Sequence, residues 1–220
     1  MTKTIAKLLI PGFLFLAGCS TNVTITGNYP TPLCDPLPIK AGLFFNEAFK
    51  TYTFSDTSGR RDVTMEFGPA QTKLFTTISS CVFQEAQVLS TMPGDDGNGG
   101  ENFAPNLDLI LVPNVEEVQI ALPYDTSLNV YEVWIKYNLQ IFDANGNAIA
   151  DWIMTSYGKT PTRSMTSAEK ALNLASNVAL RDAGARITLG FGKIPEVESL
   201  LANQQRQSRQ AADSSQESAL

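Results

Sequence analysis

The chain has 220 residues, 43% hydrophobic and 17% charged, with 22 acidic against 16 basic residues, three cysteines and no histidine. That length supports one well-buried domain and hardly a second. A net charge of −6 argues against a nucleic-acid surface, and the missing imidazole removes Ser-His-Asp and Cys-His catalysis together with the commonest zinc ligand.

Lys3 and Lys7 flank the start of an apolar run over residues 8–15, far shorter than the roughly 20 residues that span a bilayer. Leu16-Ala17-Gly18-Cys19 follows. A basic start, a short apolar stretch and small residues before a cysteine resemble the lipobox of bacterial lipoproteins. The resemblance implies removal of residues 1–18, a diacylglycerol on the Cys19 thiol, and a membrane contact made through lipid. Ser20 stands at the next position where an aspartate would resemble an inner-membrane retention signal, so the implied location is the outer membrane, facing the periplasm. Cleavage removes two lysines and no acid, moving the net charge from −6 to −8; such a surface repels nucleic acid and anionic headgroups. Anchoring then falls to the acyl chains, of which one holds marginally and two or three hold firmly.

Residues 19–38 carry four prolines and no sustained period and are expected to be a tether. A single domain is expected over 39–201. Residues 39–45 read as a first strand, 52–54 as a second, with turn chemistry at Asp56-Thr57-Ser58-Gly59, and 62–67 as another. Gly68-Pro69 opens a helix, proline at the first helical position losing no hydrogen bond. Phe75, Ile78, Val82 and Leu89 recur at helical spacing, predicting an amphipathic helix of about 20 residues. Residues 91–106 are a loop by composition. Its Asp95, Asp96, Asn98 and Glu101 are oxygen donors of the kind calcium accepts, but without the EF-hand order, and a solvated loop is the better reading. Residues 107–112 and the alternating Val118, Ile120 and Leu122 form either one strand bent at Pro113 or two short ones.

The clearest strand is 130–142, with Tyr131, Val133, Ile135, Tyr137, Leu139 and Ile141 on one face and Glu132, Trp134, Lys136, Asn138, Gln140 and Phe142 on the other. Asn145-Gly146 supplies a hairpin turn and 148–157 the returning strand. Thr166 and Glu169 read as a capping box opening an alanine-rich helix that ends near Gly190. Pro195 starts a short last helix through Leu201, and 202–220 reads as a disordered polar tail. Cys34 and Cys81, in an oxidising compartment, either form a disulfide closing about 47 residues and worth roughly 3–4 kcal/mol, or are a loop thiol and a small apolar helix residue.

This order predicts an α/β (α+β) sandwich: one mainly antiparallel sheet with two main helices packed on one face, plus a short C-terminal helix. The hairpin at Asn145-Gly146-Asn147, the strand closing on Tyr157 and the helix from Ala168 resemble the layout of small periplasmic lipoproteins, the YajG type and the group sharing the fold of the TolB N-terminal domain. That group includes the curli-secretion lipoprotein and the penicillin-binding-protein activator LpoB. With the lipobox and the absent catalytic sets, this resemblance implies a non-enzymatic accessory, assembly or binding factor that holds an envelope protein or a glycolipid through its sheet face or a sheet edge, as either a ring-forming homo-oligomer or a monomeric adaptor.

No CxxC, GxxxxGK[ST] or GxGxxG occurs, so neither a redox centre nor a phosphate-cradling loop is expected, and no metal or cofactor. Glu116 and Glu117, adjacent in a strand, should point to opposite faces. The rival reading is a histidine-free enzyme acting on a glycan through two carboxylates drawn from Asp56, Asp62, Asp108, Glu116, Glu117 and Asp151. Trp134, Lys136 and Phe142, on the strand face away from the predicted core, are the candidate partner-binding residues, unless a terminal segment or an oligomer partner covers them.

Overall fold

The computed structural model describes residues 20–27, 29–30, 32–59, 61–92, 106–164 and 167–217. The signal segment, Cys19, the acidic loop with Asp95, Asp96, Asn98 and Glu101, and Thr166 lie outside the described residues. The elements are strands β1 (Ser20–Thr24) and β2 (Leu37–Phe44), helix α1 (Glu47–Lys50), strands β3 (Thr53–Asp56) and β4 (Asp62–Glu66), helix α2 (Gly68–Val82), and strands β5 (Phe83–Leu89) and β6 (Leu109–Ala121). Helix α3 (Pro123–Thr126), the hairpin β7 (Val130–Phe142) and β8 (Ala148–Pro161), and helices α4 (Ala168–Gly190) and α5 (Pro195–Glu217) complete them.

Together they make a mixed α+β sandwich of two sheets, one of five strands in the order β5-β2-β6-β7-β8 and one of three in the order β1-β4-β3. Helices α2 and α4 pack side by side on one face of the larger sheet. Val133, Ile135, Tyr137, Leu139 and Ile141 are buried beneath them, each aliphatic chain contributing about 1.5–3 kcal/mol relative to exposure. At the centre Phe75 meets Phe49 and Tyr137 edge-on, with ring centroids 5.4 Å apart in both pairs. The Tyr137 hydroxyl donates to Gln71 Oε1 at 3.2 Å, and Gln71 Nε2 donates to the Phe49 carbonyl at 2.7 Å. Both polar residues of this buried chain are thus satisfied, as a dry interior requires. Burial holds the Tyr137 phenol well above its ordinary range.

Alternation in β7 follows the sequence closely because each inward residue is apolar. Its pairing with β8 is fixed at the turn, where Gly146 takes φ +86° and Asp143 Oδ1 accepts from the backbone of Asn145 and Asn147. Helix α4 approaches β8 at Gly158, where a Cβ would lie 2.1 Å from the Ala175 carbonyl oxygen and 2.4 Å from the Ala179 nitrogen. Ala171, Ala175, Ala179 and Ala183 form the buried stripe that makes this approach feasible.

Several expectations are corrected. The segment expected to be a tether is in part a strand: β1 pairs in parallel with β4, and Val23 and Ile25 are 2% and 4% exposed. Their alternation with Asn22, Thr24 and Thr26 is a strand signal that the prolines downstream obscured. The helix from Gly68 ends at Val82, and Phe83–Leu89 is an edge strand parallel to β2; Leu89 fell on the helical period by coincidence. The large sheet is mixed, with two parallel and two antiparallel pairings, and a second sheet accompanies it. Strand β6 runs unbroken past Pro113. It pairs with β2 only over residues 109–111, so the proline sits where one flank of the strand carries no ladder. The cap of α4 is Ser167, whose hydroxyl accepts from Lys170 N at 3.3 Å. The last helix is not short: α5 continues through Glu217, because 202–217 holds neither Gly nor Pro and is rich in Gln, Arg and Ala, all good helix formers. Val197, Leu200 and Leu201 dock its first turns.

Cys34 and Cys81 are bridged, their Cα atoms 6.0 Å apart, which fastens the segment ahead of β2 to the last turn of α2. Cys81→Ser, or reduction, should lower the melting temperature by about 6–12 °C, the equivalent of roughly 3 kcal/mol for a chain of this size; calorimetry with and without reductant checks it. Gly158→Ala should cost about 3 kcal/mol or more, since backbone atoms on a helix cannot step aside as a side-chain end does. Urea denaturation followed by circular dichroism would measure the loss.

Candidate functional site

The face of the large sheet turned away from α2 and α4 carries the side chains of Glu132, Trp134, Lys136, Asn138, Gln140 and Phe142, all partly exposed. Neighbouring strands extend it through cross-strand partners: Trp134 lies between Gln119 of β6 and Tyr157 of β8, and Asn138 between Asn114 and Ile153. The face changes character along β7. At one end the Trp134 and Tyr157 rings lie 5.2 Å apart at 34°, and the Tyr157 hydroxyl donates to Glu132 Oε1 at 2.5 Å. That hydrogen bond, with some burial and the carboxylate charge behind it, pushes the Tyr157 phenol up to about 12. An ion pair follows, Lys136 Nζ to Glu116 Oε2 at 2.7 Å, which raises the Lys136 ammonium above its usual value.

Amides come next. Asn46 Nδ2 donates to Asn114 Oδ1 at 2.9 Å, and Asn114 Nδ2 donates to Gln140 Oε1 at 3.0 Å. Phe142 ends the row opposite Ile110, which is fully buried.

All three candidate residues therefore share the predicted face, but they do not form one patch. Trp134 and Phe142 are eight residues apart on a straight strand, about 27 Å, and Phe142 packs at the apolar end, away from the aromatic and charged groups. Trp134 and Lys136 remain together. Tyr157 and Glu132 complete the aromatic end and were not singled out from the sequence. Counting outward from the centre of Asn145-Gly146 pairs Trp134 with Tyr157, so the turn contained the signal. Glu116 is also a correction: the register of β6 and β7 shifts between Val115 and Glu117, a bulge that breaks strict alternation. Glu117 pairs directly with Lys136 while Glu116 forms the ion pair, so both carboxylates flank one lysine.

The other acids considered for catalysis are dispersed. Asp56 accepts from the Ser58 backbone and hydroxyl at 2.8 and 2.6 Å, which lowers its pKa. Asp108 accepts from Lys40 N at 2.7 Å, and Asp151 is exposed on β8. Among the described residues no three His, Cys, Asp or Glu side chains cluster as metal ligands would. On the opposite side of the domain a groove of about 350 Å³ lies between α2 and α4, lined by Tyr29, Pro32, Leu33, Ile78, Gly184 and Leu189 among others. Leu33 and Leu189 at this groove are exposed.

No protein-family model matches the chain, and no curated protein matches it. Among solved structures it is similar to a Caulobacter crescentus protein assigned to the lipoproteins, with 14% identity, 62% of this chain and 84% of that chain covered, and a TM-score of 0.38. It is also similar to a Helicobacter pylori homologue of a neuraminyllactose-binding hemagglutinin, at 11% identity, 84% and 100% coverage and a TM-score of 0.46. A third is lipoprotein GNA1162 from Neisseria meningitidis, at 10% identity, 66% and 98% coverage and a TM-score of 0.29. None of the three fixes a family for this chain.

The Tyr157 phenol gives the aromatic end a pH signature. Its folded pKa lies above the unfolded value, so the bond to Glu132 stabilises the fold in full below pH of about 10 and is lost as pH rises through about 12. In a Trp152→Phe background, Trp134 fluorescence should be quenched by the tyrosinate with a midpoint near 12. Glu132→Gln should move that midpoint down by about one unit or more, toward the ordinary phenol value.

Proposed function

We propose that the protein is a periplasm-facing lipoprotein of the outer membrane that acts as a non-enzymatic accessory or assembly factor of the cell envelope. Cys19 anchors it through lipid, and the β6–β8 part of the sheet face turned away from α2 and α4 engages an envelope protein. The observation that carries the binding half of this reading is Trp134, held against Tyr157 on the face of the sheet turned away from α2 and α4. Tryptophan is among the residues that dominate interface energies, and here the ring is pre-set by its neighbour instead of being immobilised on contact. Lys136, Glu116 and Glu117 supply charge of both signs beside it, the arrangement of a polar rim. The lipobox at residues 16–19 supports the anchoring half, and no helix among the described residues is long and apolar enough to cross a membrane. In layout we place it beside the YajG and TolB N-terminal-fold lipoproteins.

Two experiments test the two halves. Cys19→Ala should leave the protein unprocessed or move it from the membrane to the soluble fraction; unchanged fractionation would remove the anchor. A photo-crosslinking amino acid at exposed position 119, next to Trp134, should yield an adduct in intact cells that Trp134→Ala abolishes, whereas the same probe at exposed position 73 on α2 should not. Trp134→Ala should change stability by less than about 1 kcal/mol, as a partly exposed surface position does. Equal adducts from both positions would count against the sheet face.

A further inference from the structure

Strand β8 is the last strand of the five-stranded sheet, and its outer edge is protected in one half only. The Tyr157 backbone N–H points away from β7 and donates to Asp182 Oδ2 on α4 at 3.0 Å, with Asp182 itself held by Arg186 Nε at 2.9 Å. Next to it Gly158 lies under the α4 backbone, and Pro161 at the strand end has no N–H to offer. Since N–H direction alternates along an antiparallel strand, Asp151, Ile153 and Thr155 present their backbone groups outward as Tyr157 does. All three are exposed, and among the described residues no side chain caps them as Asp182 caps Tyr157. Free strand edges are templates for pairing and are normally blunted. This chain blunts one stretch and leaves the adjoining one open.

We propose that this open stretch, residues 151–155 of β8, is a homodimer interface, on which a second copy lays its own β8 antiparallel about a two-fold axis through Ile153. The inference goes beyond the partner reading above and does not depend on it. The sequence is self-complementary in this register. Ile153, 54% exposed, meets its own copy. Asp151 lies opposite Thr155 of the partner subunit, carboxylate against hydroxyl, twice. Three outward pairs each exchange two backbone bonds, about six in all over a ladder about 17 Å long. Other registers are worse. An axis through Asp151 opposes two carboxylates, an unfavourable pair, and one through Trp152 sets each Asp151 against an isoleucine. An axis through Met154 or Thr155 extends pairing to Tyr157, whose edge Asp182 already occupies.

Single cysteines in the full-length chain read the register directly, because residues directly opposite one another have Cβ atoms about 4.5–5.5 Å apart. Treated with a short bifunctional thiol crosslinker, Ile153→Cys should give a covalent dimer, at least about tenfold more than Asp151→Cys or Thr155→Cys alone, since neither of these residues faces itself and the hydrogen-bonded pair is too wide for a direct disulfide. Co-expressed Asp151→Cys and Thr155→Cys chains should crosslink to each other. Equal yields from the three single variants, or none from Ile153→Cys in a chain that melts like the parent, would overturn the proposal. Sedimentation of the detergent-solubilised wild-type chain provides a reading free of new cysteines: a dimer at about 100 µM that Ile153→Lys converts to monomer is expected. A wild-type monomer at that concentration would also overturn it. Loss of the dimer with the adduct at position 119 intact would leave the partner-binding reading standing, and the converse would leave the dimer.

Discussion

Everything in the sandwich is arranged around the contact between helix α4 and strand β8 at Gly158. The helix comes so close that its own backbone fills the volume a side chain would take, with Ala175 O and Ala179 N at 2.1 and 2.4 Å from the position of a Cβ. An alanine stripe with little to interdigitate buries apolar surface only if the gap is closed, and dispersion falls steeply with separation. Glycine on one side and alanines on the other close it. The same approach carries Asp182 to the Tyr157 N–H and lays Gly184 against Ile78 of α2, so the two helices meet over the sheet. At the far end of the helix Phe191 fits between Phe83 and Trp152, with ring centroids 5.0 and 6.4 Å away. One strand–helix contact therefore aligns both edges of the covered face.

Covering one face so completely determines what the other can be. The inward residues of β7 are aliphatic or, at Tyr137, a phenol whose hydroxyl is passed to Gln71 and on to the Phe49 carbonyl. The outward residues pair laterally: Tyr157 with Glu132, Lys136 with Glu116, Asn114 with Gln140. Such pairs contribute little individually at an exposed surface. Their effect is geometric, because each long side chain is held along the sheet and the Trp134 ring is left accessible above a fixed neighbour. A surface of this kind loses little side-chain entropy on contact.

The parts of the fold that were legible in the sequence are those where local and tertiary preferences coincide. In β7 every second residue is apolar, Asn145-Gly146 supplies the positive φ of the turn, and α4 repeats alanine on one stripe; each signal names the face as well as the element. Where the signals conflict the reading fails. Phe75, Ile78, Val82 and Leu89 fit a helical period, yet the chain leaves the helix at Phe83, whose ring is buried against Phe191; a tertiary contact overrides the continuing pattern. Strand β1 is too short to register a period beside four prolines, and its parallel partner β4 lies about 40 residues away, a pairing that no local rule supplies. The bulge at Glu116 is equally silent, since it adds one residue to a ladder whose register only the partner strand defines. Of the outward face, Trp134 and Lys136 could be chosen from alternation alone. Tyr157 required the hairpin register, and Glu132 required the phenol that it accepts from.

The early start of β1 changes what lipid attachment at Cys19 implies. A tether over residues 19–38 would let the domain range over a wide volume, with its charge held off the bilayer. In the structure Ser20 already pairs with Asp62, and Val23 and Ile25 enter the common core. Acylation at Cys19 would then place the three-stranded sheet within one residue of the lipid. Cleavage before Cys19 would leave a net charge of −8, and a domain of that charge held so close to a bilayer would be repelled by anionic headgroups. With Thr26, just past β1, bound to Asn173 of α4, this segment is tied to the helix that organises the large sheet. Orientation at the membrane would in this way be passed to the Trp134 face through packed elements and not through a flexible linker.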